Sequence, residues 1–267
     1  MILPTASSLH VDVHLGGGPA ILMVHGFLAG RALWRANLEA LRAVATPVIV
    51  ELYGHGRSPS PLDPFAYHPD AYVAAFEEIR RELSVDRWFV LGHSLGAALT
   101  LRYVLDHPDR VIAHVFTNSV SALAGPRWRE AMMTNADAEA DRILKHGLAH
   151  LERSSANPAR SHRIVPAVRE ALAADMPLLQ PLGVSATIRH TAPASTVRER
   201  IDGNTRPTLL VAGRKEKAFA EPCHFVQTAM PNLTVVHVDA GHSPNAETPD
   251  AFNDAAVLFI TVTSRSA

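Results

Sequence analysis

The sequence predicts an α/β architecture: a mostly parallel central sheet flanked by helices, interrupted by one helical insertion. Three observations predict it. Short continuous apolar runs recur along the chain, each the length of a strand buried on both faces. Longer segments with helical spacing separate them, the alternation expected of strand–helix–strand units. The alternation then breaks once, from Ser121 to about Thr205, where no buried-strand pattern occurs.

Taken in order, His10 to Leu15 alternates and reads as a first strand, closed by the turn Gly16-Gly17-Gly18. Ala20 to Val24 and Pro47 to Leu52 are apolar runs, with a helix expected over Ala32 to Val44 between them. Pro69 to Leu83 is the next helix and Trp88 to Leu91 the next strand. Leu95, Leu99 and Arg102-Tyr103 fall at helical spacing in Leu95 to Asp106, and His107-Pro108 stops that helix. Val111 to Phe116, Thr208 to Val211 and Val235 to Val238 complete the strands, and Pro222 to Ala229 and Pro249 to Ile260 the helices. The broken stretch carries helical patterns over Arg127 to Glu152 and Val165 to Ala174, punctuated by prolines at 158, 166, 177, 181 and 193. A long insertion inside an α/β sheet is usually functional. Residues 121–205 therefore read as a helical cap, or lid, on a core formed by 1–120 and 206–267.

The composition narrows the function. In 267 residues, 25 basic and 26 acidic side chains give a net charge of −1, which leaves no electrostatic footprint for nucleic acid or an anionic membrane. The single cysteine, Cys223, excludes a disulfide framework and a cysteine zinc cluster, and makes a reducing compartment the default. Met1 to His14 lacks a basic and then apolar leader pattern, and no apolar run approaches the roughly 18 residues of a membrane span. A cytoplasmic protein is expected. The 15 histidines are scattered; His-x-x-x-His occurs at His10/His14 and His146/His150 but without the Glu of a His-Glu-x-x-His motif, so no metal is expected. Gly16 to Gly18 lack the Lys-Ser/Thr continuation of a phosphate loop, and no cofactor is expected.

Trp88-Phe89-Val90-Leu91-Gly92-His93-Ser94-Leu95-Gly96-Ala97-Ala98-Leu99 is the most informative stretch. It reads apolar strand, Gly-x-Ser-x-Gly, then helix. A sharp turn in that order lifts a serine oxygen above the sheet edge and sets it beside a helix N-terminus with unpaired N–H groups. Val24-His25-Gly26-Phe27 ends the second strand, Tyr53-Gly54-His55-Gly56-Arg57-Ser58 follows the third, and Gly241-His242 follows the last. With these motifs in this order, the chain resembles α/β-hydrolase fold enzymes of the lid-bearing esterase and C–C hydrolase kind.

The resemblance implies roles. Ser94 would be the nucleophile and His242 the base that takes its proton and returns it to the leaving group. The backbone N–H groups of Phe27 and Leu95 would form the oxyanion hole. The acid should lie between Ser94 and His242, on the loop after the next-to-last core strand. There the family commonly has aspartate, and this chain has Glu216 in Arg214-Lys215-Glu216-Lys217. Glu221 and Asp239 are the alternatives; the other site the family sometimes uses offers Asn118 and Ser119, neither an acid. His25, His55 and His93 sit inside the motifs, where holding loops by hydrogen bonds is the expected job. Of the insertion's apolar residues, Trp128, Met132, Met133, Leu144, Leu148, Met176, Leu178, Leu179 and Leu182, some are expected to line an apolar acyl pocket.

The implied function is a serine hydrolase that cleaves a carboxylic ester, lactone or thioester through an acyl-enzyme on a Ser-His-Glu triad. Its partner is a small-molecule substrate, at least partly apolar, and no oligomeric state is assigned. The alternatives are C–C bond hydrolysis, or elimination like that of the menaquinone-pathway synthase, on the same triad, and a non-catalytic ligand-binding fold. The synthase has Gly-Gly-Arg after its elbow serine motif, where this chain has Gly96-Ala97-Ala98. Ser94 argues against dehalogenase and epoxide-hydrolase chemistry, which needs a carboxylate nucleophile.

Overall fold

The structure is a computed structural model that describes residues 9–265. The first part of the segment read for a leader, residues 1–8, lies outside the described residues. Seven strands form one sheet in the order β1-β3-β2-β4-β5-β6-β7. They are β1 (His10–Val13), β2 (Ala20–Val24), β3 (Thr46–Glu51), β4 (Trp88–Gly92), β5 (Val111–Thr117), β6 (Thr208–Gly213) and β7 (Leu233–Val238). β1 runs antiparallel to β3, with His10 opposite Glu51, and the remaining neighbours are parallel. β4, β5 and β6 are buried along their whole length, which is why they read as continuous apolar runs. β7, at the edge, is half exposed.

The helices are α1 (Leu38–Arg42), α2 (Pro69–Glu82), α3 (Leu95–Asp106), α4 (Val120–Leu123), α5 (Pro126–His146), α6 (Leu148–Arg153), α7 (Pro166–Asp175), α8 (Pro181–Ala186), α9 (Ala220–Ala229), α10 (Pro244–Glu247) and α11 (Pro249–Ser264). One face of the sheet packs Ile21, Met23, Phe89 and Leu91 against Trp34, Leu41, Phe252 and Ile260. On the other, Leu22, Val24 and Val90 meet Tyr72, Phe76, Leu99 and Tyr103, while Phe116 and Leu210 meet Val226. Burying a side chain of this size contributes about 1.5–3 kcal/mol, so the two layers clamp the sheet between them.

The structure redraws two expected helices. Ala32 to Val44 is a short 3-10 turn, Arg31–Trp34, followed by α1. The break falls at Asn37, whose buried amide donates to Asn245 O and Asn253 Oδ1, each at 2.9 Å; these tertiary bonds override helical spacing. Arg127 to Glu152 is split into α5 and α6 at Gly147, whose positive φ of 58° suits glycine after a helix end. Among the described residues no helix is long and apolar enough to cross a membrane.

The parallel strands deliver their carboxyl ends to one edge. The strand order reverses at β2: the chain passes from β2 to β3 on one side and then crosses back to β4 on the other. Ligands of open α/β sheets bind at such a reversal.

Candidate active site

The turn from β4 into α3 holds Ser94 at φ 53°, ψ −117°, a conformation that costs a residue with a side chain about 1–3 kcal/mol. It persists because neighbours fix both sides. His93 N donates to Val24 O at 3.0 Å, and Ser119 Oγ donates to Ser94 O at 2.7 Å. Glycine is required where the elbow meets β2. A Cβ on Gly96 would collide with the carbonyl oxygens of Val24 and His25. One on Gly26 would stand 2.9 Å from Ser94 Cβ, so glycine lets the loop after β2 approach the serine.

Three sequence candidates come together in one hydrogen-bonded row. Ser94 Oγ lies 2.9 Å from His242 Nε2, and His242 Nδ1 lies 2.9 Å from Glu216 Oε1. The carboxylate accepts from Nδ1–H, which leaves Nε2 to accept from the serine hydroxyl. Burial would raise the Glu216 carboxyl, but hydrogen bonds and charge from His242, with a further bond from Asn118, hold it below the usual carboxylate range. The other acid candidates lie elsewhere: Glu221 pairs with Arg198 at 2.6 Å and Asp239 with Lys215 at 2.7 Å.

Two further residues hold this row, and the sequence reading did not find either role. Asn118, at the end of β5, donates to Glu216 Oε2 at 2.8 Å and to Gly213 O and Gly241 O at 3.2 Å, and its Oδ1 accepts from Gly213 N at 2.9 Å. It ties together the turns that carry Glu216 and His242. Glu247 accepts from the N–H groups on both sides of His242, Gly241 at 2.6 Å and Ser243 at 3.0 Å. The only signal for Asn118 was its place at a strand end where the family sometimes carries an acid. His93 is buried with Nδ1 2.7 Å from Thr117 Oγ1, and its ring meets His242 edge-on with centroids 5.1 Å apart. Burial first, then the nearby His242 and His25, pushes its pKa well below the ordinary value.

Leu95 opens α3, so its N–H is among those a helix leaves without an internal partner. Phe27 follows Gly26 on the loop that nears Ser94, and Leu28 beyond it sits at φ 54°. A cleft of about 390 Å³ opens over Ser94 and His242, between Phe27, Ala29 and Leu33 on one side and Ser155, Pro158, Ser161 and Ile164 on the other. This corrects the expectation for the insertion: its cleft wall is the 155–164 loop, and none of the apolar residues expected there lines it. Met176, Leu179 and Leu148 instead pack with Leu28 beneath the insertion, and Met133 is exposed. No lysine or arginine lines the cleft. Among the described residues no group of three or more His, Cys, Asp or Glu is placed to hold a metal ion.

Residues 19–249 match the alpha/beta hydrolase fold family, and the chain belongs to it. Over 248 residues, 91% of this chain and 90% of the other, it is 24% identical to a Bacillus subtilis (strain 168) protein provisionally named 2-succinyl-6-hydroxy-2,4-cyclohexadiene-1-carboxylate synthase. Among solved structures it is similar to MenH from S. aureus, with a TM-score of 0.84 at 15% identity, covering 96% of this chain and 99% of that one. It is also similar to a hydrolase from Pseudomonas aeruginosa PA01, with a TM-score of 0.78 at 23% identity and 97% coverage of both chains. At these identities the structural likenesses show the fold.

Proposed function

We propose that this chain is a serine hydrolase that cleaves a carboxylic ester, lactone or thioester through an acyl-enzyme on Ser94. The observation that carries the reading is the unbroken row Ser94, His242, Glu216, with both separations at 2.9 Å. As Ser94 Oγ attacks the acyl carbon, its proton passes to His242 Nε2, and Glu216 stabilises the imidazolium that forms. The carbonyl oxygen becomes an oxyanion, received by the N–H groups of Phe27 and Leu95. His242 then protonates the leaving oxygen or sulfur. Water, deprotonated by the same ring, releases the acid and restores Ser94.

Residues 121–205 serve as a cap, because their 155–164 loop forms one wall of the cleft. That cleft offers apolar surface, the Ser155 and Ser161 hydroxyls and the Glu247 carboxylate, and no cation, which supports an uncharged substrate. The second reading, C–C cleavage or elimination, has the near full-length likeness to the Bacillus protein in its favour. Against the elimination, Ala98 stands where the synthase has arginine, and no arginine lines the cleft to hold an anionic substrate.

Hydrolysis of p-nitrophenyl esters of increasing acyl length, wild type beside Ser94→Ala, tests the reading. Loss of turnover on the order of 10⁴-fold or more is expected for Ser94→Ala, and a smaller but clear loss for Glu216→Gln. Full turnover in Ser94→Ala would end the serine-hydrolase reading. A well-folded wild type inert to every ester, yet able to cleave a C–C bond, would transfer the triad to the second reading.

A further inference from the structure

His25 and His55 lie beneath the cleft without lining it, and both are fully buried. Each has backbone on both ring nitrogens. Leu52 N–H can only donate, and it reaches His25 Nε2 at 3.0 Å, so that nitrogen carries the lone pair. The proton is therefore on Nδ1, which donates to Gly26 O at 2.8 Å. His55 repeats the arrangement: Nε2 accepts from Leu28 N–H at 3.2 Å, and Nδ1–H donates to Tyr53 O at 2.9 Å. Both rings are neutral and confined to one tautomer. Burial reinforces this by pushing His25 down to about 4 and, with His25 beside it, His55 to about 3.

The carbonyl held by His25 belongs to the same peptide unit as the Phe27 N–H, and that peptide is trans. A trans peptide is planar with its C=O and N–H directed oppositely. Fixing the Gly26 carbonyl on the imidazole therefore turns the Phe27 N–H away from the ring, and the bond to the carbonyl polarises the peptide and strengthens its donor. The next N–H, Leu28, is occupied by His55, and the left-handed backbone at Leu28 persists only while such contacts hold it.

We infer that His25 is a positioning residue for the oxyanion hole: its single neutral tautomer orients and polarises the Gly26–Phe27 peptide, while His55 fixes the peptide that follows. The inference rests on the serine-hydrolase reading, since it assigns the Phe27 N–H to the developing oxyanion.

Two substitutions separate this from a merely structural role. In His25→Asn the side-chain amide supplies an N–H near the Nδ1 position and leaves Leu52 unpartnered. In His25→Gln the amide reaches toward Leu52 and leaves Gly26 O with only the longer bond, 3.3 Å, from Ala29 N–H. The expected result is that His25→Gln lowers kcat on a p-nitrophenyl ester by roughly 10- to 100-fold, with KM little changed, whereas His25→Asn stays within several-fold of wild type. An alkyl boronic acid, which forms a tetrahedral adduct on Ser94, should lose affinity for His25→Gln by a similar factor, while the carboxylic acid product should not. The opposite ranking, or equal losses with boronate affinity unchanged, would overturn the inference. Nitrogen NMR of the wild-type imidazoles tests it without any variant: His25 is expected as the neutral Nδ1–H tautomer, and an Nε2–H form would refute it. If Ser94→Ala keeps full turnover, the serine-hydrolase reading itself falls. If Ser94→Ala is inactive and the His25 variants rank the other way, only the His25 assignment falls.

Discussion

Asn118 is where the proposed triad is most exposed to a single change. Its amide donates to Glu216 Oε2 at 2.8 Å, and it contributes to holding that carboxyl below its ordinary range. Asn118→Asp replaces a donor with a second carboxylate at the same distance, and two such groups cannot both ionise cheaply. The pair then keeps a proton to higher pH than Glu216 alone does. The acidic limb of the kcat/KM profile should accordingly move upward, with a loss on the order of 10²-fold at neutral pH and partial recovery in alkaline buffer. An unmoved limb would show that Asn118 does not act through the charge on Glu216. Ser94 and His242 were legible as candidates because each sits in a local motif, whereas Glu216 was placed only by the family resemblance, with Glu221 and Asp239 as alternatives. Asn118 and Glu247 were not legible, since their bonds run to backbone groups of turns far apart in the chain.

The insertion is joined to the core through close backbone contacts at the turn after β3. Gln180 N donates to Gly54 O at 2.9 Å, and a Cβ on Gly183 of α8 would stand 2.5 Å from Gly54 Cα. Gly183→Ala must push α8 away from that turn, an overpacking that costs about 1–3 kcal/mol. The expected outcome is a Tm several degrees lower in calorimetry, together with weaker ester turnover as the proposed cap shifts. Gly203→Ala, where nothing lies within 4 Å of the added methyl, should leave both unchanged. Equal Tm values for the two variants would mean that α8 is not seated on the core as described. Sequence patterning located the strands because buried parallel strands have no polar face to blur them. It misjudged the insertion for a related reason: helical spacing tells which residues are buried, not whether they face a neighbouring helix or a substrate cleft. The 155–164 loop, which does form the wall, has no periodicity to read.

Across the whole molecule, four buried histidines make acid the condition to which this fold is most sensitive. They are His25, His55, His93 and His114. Burial pushes His25 down to about 4, His55 and His114 to about 3, and His93 well below its ordinary 6.5. A group whose pKa is depressed on folding leaves stability untouched above its unfolded value. Below that value the unfolded chain binds a proton that the folded chain refuses, so stability falls as pH drops from 6.5 toward the folded pKa. Four such groups together remove roughly 5 kcal/mol per pH unit once all four are protonated in the unfolded chain. Against a typical total of about 5–15 kcal/mol, the chain should unfold cooperatively near pH 5. Carboxylates add to the loss only further down: Glu77, held at about 2 despite burial by Arg80 and the Tyr103 hydroxyl, keeps its partners until below the ordinary carboxylate range. Circular dichroism across an acid titration checks this, with a steepness matching about four protons for the wild type and about three for His114→Asn. A wild type that stays folded to pH 3 would contradict the neutral, buried state of these rings. Because His25, His55 and His93 also surround the proposed oxyanion loop and elbow, ester turnover should vanish within the same acid transition.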